Sequence, residues 1–238
     1  MSSRSQHPDS GPGSPQDALL HQLPLPQPEA DNENLAAELA QLGSTLYEAE
    51  DNQAVTAYEH SVALTRPLLA AQPERFQLAM ADRISELGRA YLMAGQVELA
   101  IPCWMEGLEL YAALALSSHI SFAAERAELL SSLALESLPQ GQLEETIRLT
   151  TEAIALLEPM LTAEMEQVGD LMVRALWTRS VALDASGNKP AALADAVRCR
   201  QLAADPRIPE MEPGIRDAIE GQFRGLQTEA AAPSNPPA

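Results

Sequence analysis

The side chains able to do chemistry are few and badly placed for it. Of four histidines, His7 and His21 fall in a Pro- and Ser-rich N-terminal arm, His119 in a linker, and His60 on the outward face of its helix. No two share a helical face at metal-ligand spacing, so neither a metal site nor an imidazole base with a partner is expected. Cys103 and Cys199, the only cysteines, each sit inside an apolar helical pattern, which reads as buried reduced thiols rather than a disulfide framework. The carboxylate clusters Glu125/Glu128, Glu144/Glu145 and Glu210/Glu212 lie at helix starts or on polar faces. Negative charge favours the helix dipole there and needs no catalytic role. There is no GxxxxGK[ST] phosphate loop, no glycine-rich strand-to-helix turn and no zinc pattern. The expectation is no catalytic residue, no metal, no cofactor and no enzyme.

Charge narrows the partners. Asp and Glu outnumber Lys and Arg by 34 to 15, a formal charge of −19, and Lys189 is the only lysine. Such a surface repels phosphate backbones and anionic lipid, so neither nucleic acid nor a membrane is expected as partner. The start, MSSRSQHPDSGPGSP, carries no signal-like apolar core, and no later segment reads as a membrane span. A cytoplasmic protein is the expectation.

The elements that must position any site are helices. Aromatics make up only 4% of a chain that is 46% hydrophobic, rich in Ala and Leu, and this suits helix packing better than sheets. Leu64, Leu110, Leu156 and Leu202 are spaced 46 residues apart, as are Gly95, Gly141 and Gly187, Phe76 and Phe122, and the series Ala54, Ala100, Thr146, Ala192. Four series in one phase define four helix pairs, units that bury their apolar faces only when stacked. In the second unit Ile84, Leu87 and Tyr91 precede a turn at Gly95, and Val97, Ala100, Ile101, Trp104 and Leu108 follow it, at the spacing of three and four that marks one buried stripe. Asp51 and Asn188 are the expected caps of the first and fourth turns, with Pro190 in the first turn of its helix. Pro102, a turn inside its own helix, should bend it.

The organisation expected is a disordered N-terminal arm over 1–30 and four repeats over 31–204, at about 34–71, 73–117, 120–161 and 164–204. A linker and capping helix follow over 205–227, then a disordered tail over 228–238. The capping helix carries Ile215, Ile219, Phe223 and Leu226 on one face.

The string LGRAYLMAGQVELAIPCWMEGLEL resembles the tetratricopeptide (TPR) consensus through Leu87, Gly88, Tyr91, Gly95, Ala100, Trp104, Gly107 and Leu108. LGSTLYEAEDNQAVTAYEHSVAL resembles it through Leu42, Gly43, Leu46, Ala54, Tyr58 and Leu64, with one residue fewer in the turn. The resemblance covers roughly residues 34–204, in a long variety with period 46 rather than the usual 34. HEAT-type repeats, similar in length, are the fold alternative. Ala134 and Ser180 stand where the family has Gly, Arg179 where it has Leu and Thr146 where it has Ala, so looser or differently angled packing is expected in units three and four.

The resemblance implies an all-α, right-handed superhelical solenoid of four TPR-like helix hairpins with a C-terminal capping helix. The first helix of each pair would line a concave groove. Mapping that phase puts Tyr47, Arg89, Met93, Leu135, Arg174, Trp177 and Val181 in the groove. Tyr, Trp and Arg are the residues that dominate interface energetics. Only Arg89 is basic among the inner positions with which relatives clamp a C-terminal carboxylate, so a dicarboxylate clamp is not expected. The function expected is a scaffold or adaptor holding an extended segment or helix of a partner protein. The alternatives are a self-associating structural protein, for which a homodimer is the natural form, and a ligand-sensing regulatory domain.

Overall fold

The computed structural model describes residues 29–118, 121–208 and 213–231. The N-terminal arm with His7 and His21, the linker residue His119, Glu210, Glu212 and the end of the tail lie outside the described residues. Nine α-helices and no strand occupy the described part: α1 Glu29–Glu48, α2 Gln53–Ala71, α3 Pro73–Met93, α4 Val97–Ser118, α5 Ala123–Ser137, α6 Leu143–Leu157, α7 Met165–Ala185, α8 Lys189–Ala203 and α9 Pro213–Ala231. They pack in chain order, α1 on α2, α3 on α4, α5 on α6 and α7 on α8, with each pair resting on the next and α9 lying on α8. Contacts between neighbours only are what stacked units require.

One hydrogen-bond pattern closes every hairpin. The N–H of Gly95, Gly141 and Gly187 bonds to Leu92, Leu138 and Asp184 carbonyls, and the following N–H reaches back to Tyr91, Ser137 and Leu183. The glycines sit at φ +72°, +72° and +86°, the left-handed region that a Cβ disfavours. In the first hairpin Glu50 does this job at φ 55°, with Glu50 N–H on Tyr47 and Asp51 N–H on Leu46. Asp51 then accepts the Gln53 N–H at 2.9 Å, whereas Asn188 makes no side-chain cap bond. The expectation of an Asn188 cap is thereby corrected: Pro190 removes one of the N–H donors a cap would satisfy, and Asn188 accepts the Ala192 N–H through its backbone carbonyl instead.

The core runs through the stack from Leu46 in α1 to Ile219 in α9. Its central device is a fit between large and small residues. Gly88 on α3 lets the ring of fully buried Trp104 on α4 come so close that an added Cβ would meet its Nε1 at 2.4 Å, and Gly43 does the same for Tyr58 at 2.9 Å. Thr150 and Ala196 occupy the register of Trp104 one and two units on, and both are buried. Their smaller side chains leave room opposite for Ala134 and Ser180, each fully buried, and the Ser180 hydroxyl donates to the Ala192 carbonyl at 2.9 Å. Units three and four stay closed without their glycines, because a small residue on the second helix no longer needs the notch that Gly43 and Gly88 supply to Tyr58 and Trp104. Arg179, in the place of a family Leu, forks Asp195 of α8 through Nε at 2.7 Å and an NH2 group at 2.8 Å.

Helix α4 continues from Val97 through Pro102 to Ser118. By length and composition it is apolar enough to cross a membrane, with a mean hydropathy of 1.3. This corrects the expectation that no segment reads as a span. Packing on α3 and α5 buries Trp104, Tyr111 and Leu114, but only 33% of the apolar window is buried and Leu99, Met105 and Leu116 stay exposed, while Glu98, Glu106 and Glu109 interrupt the sequence.

Candidate functional site

The first helices of the pairs, α1, α3, α5 and α7, form one face of the stack, and two clefts indent it. One, of about 310 Å³, runs between α1 and α3 and is lined by small residues such as Ala37, Ala40, Ser44 and Ala79 with Asp82 and Glu86. The other, of about 220 Å³, continues between α3 and α5 and is lined by Asp82, Glu86 and Arg89 of α3, Glu125 and Glu128 of α5, and Tyr111 of α4. Asp82 and Glu86 belong to both, so the clefts join along α3.

The residues expected to face a groove are all half-buried, neither lost in the core nor fully exposed. Tyr47, Met93 and Trp177 pack one side against the core. Leu135 lies on α5, and Arg174, Trp177 and Val181 follow one another along α7 at helical spacing. Tyr47 and Arg89 are brought near each other. The α7 residues stand two units further on.

Neither arginine presents a free charge. Arg89 reaches Glu86 on its own helix and Glu128 on α5, the latter at 2.7 Å. Burial works against its charge, but Glu128 and Glu86 outweigh that and hold the guanidinium protonated above its usual range. Arg174 pairs with Asp170 at 3.1 Å. Arg83, the other arginine beside the clefts, turns instead to the Thr65 hydroxyl on α2.

What the sequence mapping missed is the acid lining. Asp82 and Glu86, spaced by four, share the face of Arg89, and Glu125 and Glu128, spaced by three, share the facing side of α5. The spacing was the available signal, but a charge run on a helix is most often a solvated face. Tyr111 enters from α4, a second helix; it donates its hydroxyl to Asp82 at 2.6 Å. Burial, the Asp82 bond and the nearby Glu125 all raise its pKa, so it remains a neutral donor. A parallel bond joins Tyr91 to Glu59 at 2.6 Å.

Cys199 is buried and Cys103 half-buried, both unpaired, with burial pushing the thiols up to about 12 and about 11. Both are therefore thiols, not nucleophilic thiolates, at neutral pH. Among the described residues no cluster of His, Cys, Asp and Glu could hold a metal ion.

No protein-family model matches the chain, and no curated protein does. Solved structures do. A variant of a Podosopora anserina protein described as a kinesin light chain with nearly identical TPR-like repeats is 18% identical, with a TM-score of 0.57 over 84% of this chain and 87% of that one. A second structure of that kinesin light chain is 17% identical, with a TM-score of 0.52 over 84% and 98%. The fold is a TPR-like repeat solenoid. At this identity the likeness is one of architecture, and the TPR-like frame explains why the first helices share a face while the second helices carry Tyr58 and Trp104 into the glycine notches.

Proposed function

We propose that this TPR-like chain is a protein-interaction scaffold that holds an extended segment or helix of a partner protein along the face of its first helices, without catalysing a reaction. The observation that carries this reading is the joined pair of clefts on α1, α3 and α5, continued on α7 by half-buried Trp177 and Val181. Aromatic and aliphatic side chains covered on one side and open on the other are the stuff of interface anchors. Tyr47, Arg89, Met93, Leu135, Arg174, Trp177 and Val181 are the proposed contact residues, with Arg89 and Arg174 acting as paired charges rather than free cations. A reducing cytoplasmic setting suits the two unpaired thiols.

The test is cross-linking of the full chain to its partners followed by mass spectrometry, comparing wild type with Leu135→Asp/Val181→Asp. Both sites are half-buried, so circular dichroism must first show the variant folded. Loss of the cross-linked partners is expected. Their retention at wild-type yield by the folded variant would remove the α5–α7 stretch of the groove from consideration.

A self-associating protein is the second reading, favoured by a cleft of about 390 Å³ on the opposite side, where Ile101, Met105 and Leu108 of α4 face Leu149 of α6 and Met105 is 53% exposed. Sedimentation over a range of concentrations separates the two, because the scaffold stays monomeric and the self-associating protein does not.

A further inference from the structure

Helices α3 and α5 carry two stacked pairs of facing carboxylates. Glu86 and Glu128 form one pair, and Asp82 with Glu125, one helical turn earlier on both helices, forms the other. The first pair is closed by a cation, since the Arg89 guanidinium spans from Glu86 to Glu128. No cation bridges the second, although Arg83, beside Asp82 and lining the adjoining cleft, is near enough for its charge and that of Asp82 to attract. Among the described residues neither Asp82 nor Glu125 forms an ion pair; Asp82 accepts only the Tyr111 hydroxyl at 2.6 Å, and Glu125 is close enough to that hydroxyl for its charge to be felt there. The start of α5 offers Glu125 some compensation through the helix dipole, but Asp82 lies in the middle of α3.

The cleft of about 220 Å³ lies at this point between α3 and α5, and shares Asp82 and Glu86 with the cleft of about 310 Å³ between α1 and α3. Four carboxylates line the α3–α5 cleft against the single guanidinium of Arg89, in a chain of formal charge −19. Like charges held together in a cleft raise the local concentration of a cation and reward its arrival.

We propose that this cleft takes an arginine or lysine side chain of a partner's polypeptide segment, with Asp82 and Glu125 as its counter-charges and Tyr111 fixing the Asp82 carboxylate. The proposal deepens the groove reading above and rests on it. The segment lies along α1, α3 and α5, and its cation enters where none bridges the acid pair, repeating one turn away what Arg89 does within the chain.

The test is selection of random twelve-residue peptides by messenger-RNA display against the immobilised full-length chain, followed by fluorescence anisotropy of the enriched peptides. Enrichment of Arg and Lys over Asp and Glu is expected, with binding that weakens as salt is raised. The isosteric variant Asp82→Asn/Glu125→Gln, shown folded by its circular dichroism, should weaken those peptides by about ten-fold. Peptides that lose affinity in Leu135→Asp/Val181→Asp but bind Asp82→Asn/Glu125→Gln as well as wild type would overturn the cation pocket and leave the groove standing. Peptides indifferent to both variants would overturn the groove itself. Binding abolished by a chelator would mark the carboxylates as a metal site and equally overturn the proposal.

Discussion

Glu50 is the sharpest place to test how the hairpins are closed. It holds φ 55° and makes the same pair of reverse-turn hydrogen bonds that Gly95, Gly141 and Gly187 make in the other three turns. A residue with a Cβ loses about 1–2 kcal/mol in that conformation. Glycine relieves this but brings a more flexible unfolded chain, which takes back about 0.5–1 kcal/mol. Glu50→Gly should therefore stabilise by about 0.5–1 kcal/mol, raising the melting temperature by up to about 4 °C for a chain of this size. Removing a carboxylate from a helix C-terminus helps independently, so Glu50→Gln measures the charge effect alone. Ala49→Gly is the decisive control. The bare period of 46 aligns Ala49 with Gly95, but the first turn is one residue shorter and the left-handed position falls on Glu50. Urea unfolding followed by circular dichroism, with the slope required to stay constant, reads all three variants. If Glu50→Gly were no more stable than Glu50→Gln, or Ala49→Gly were the stabilised variant, the account of the turn would be wrong.

Gly88→Ala should destabilise by about 1–3 kcal/mol despite the gain in helix propensity, because its Cβ would arrive 2.4 Å from Nε1 of a Trp104 that is fully buried. The same change in a Trp104→Leu background should cost far less, and equal urea midpoint shifts in the two backgrounds would refute the notch. At high pH the tyrosines should drive unfolding. Burial and then Glu86 raise Tyr58 to about 12, and burial with Glu59 and with Asp82 raises Tyr91 and Tyr111 as well. The neutral phenol is thus favoured in the fold, and its contribution is complete below about pH 10, where an unfolded tyrosine ionises, and is lost as pH rises through the raised values. Helicity should hold to about pH 10 and fall from there toward 12 in step with tyrosinate absorbance, and Tyr91→Phe/Tyr111→Phe should move the transition to higher pH. An unmoved transition would show that these phenols do not control it.

The architecture was legible in the sequence because stacking leaves a periodic record. Each turn needs a left-handed residue and each hairpin a matched pair of residues across its two helices, and these needs recur along the chain. The record becomes misleading where two positions change together. Ala134 and Ser180, taken alone, look like defects of a glycine pattern, and only beside Thr150 and Ala196, too small to need a notch, do they fit. Arg179 reads as an intruder until Asp195, sixteen residues on, is found within reach of its fork. Glu50 illustrates a third kind of loss, since no property of glutamate announces a left-handed backbone.

The charge of the groove was the least legible feature, for a reason rooted in how solenoids are wired. A helical phase can place Arg89 and Arg174 on a face, but whether either is available depends on its partners, Glu128 brought by stacking from 39 residues away for Arg89 and Asp170 one turn back on the same helix for Arg174. Once Glu86 and Glu128 have taken Arg89, the face that a count of arginines would make receptive to an acidic peptide becomes one with carboxylates to spare. Electrostatic fit is decided by what remains after internal pairing, because a guanidinium already held between two carboxylates gains little from a third. On this account the overall acidity of the chain and the unbridged Asp82/Glu125 pair point the same way, toward a cationic segment, and Arg89 serves to tie together the two helices of the cleft that receives it.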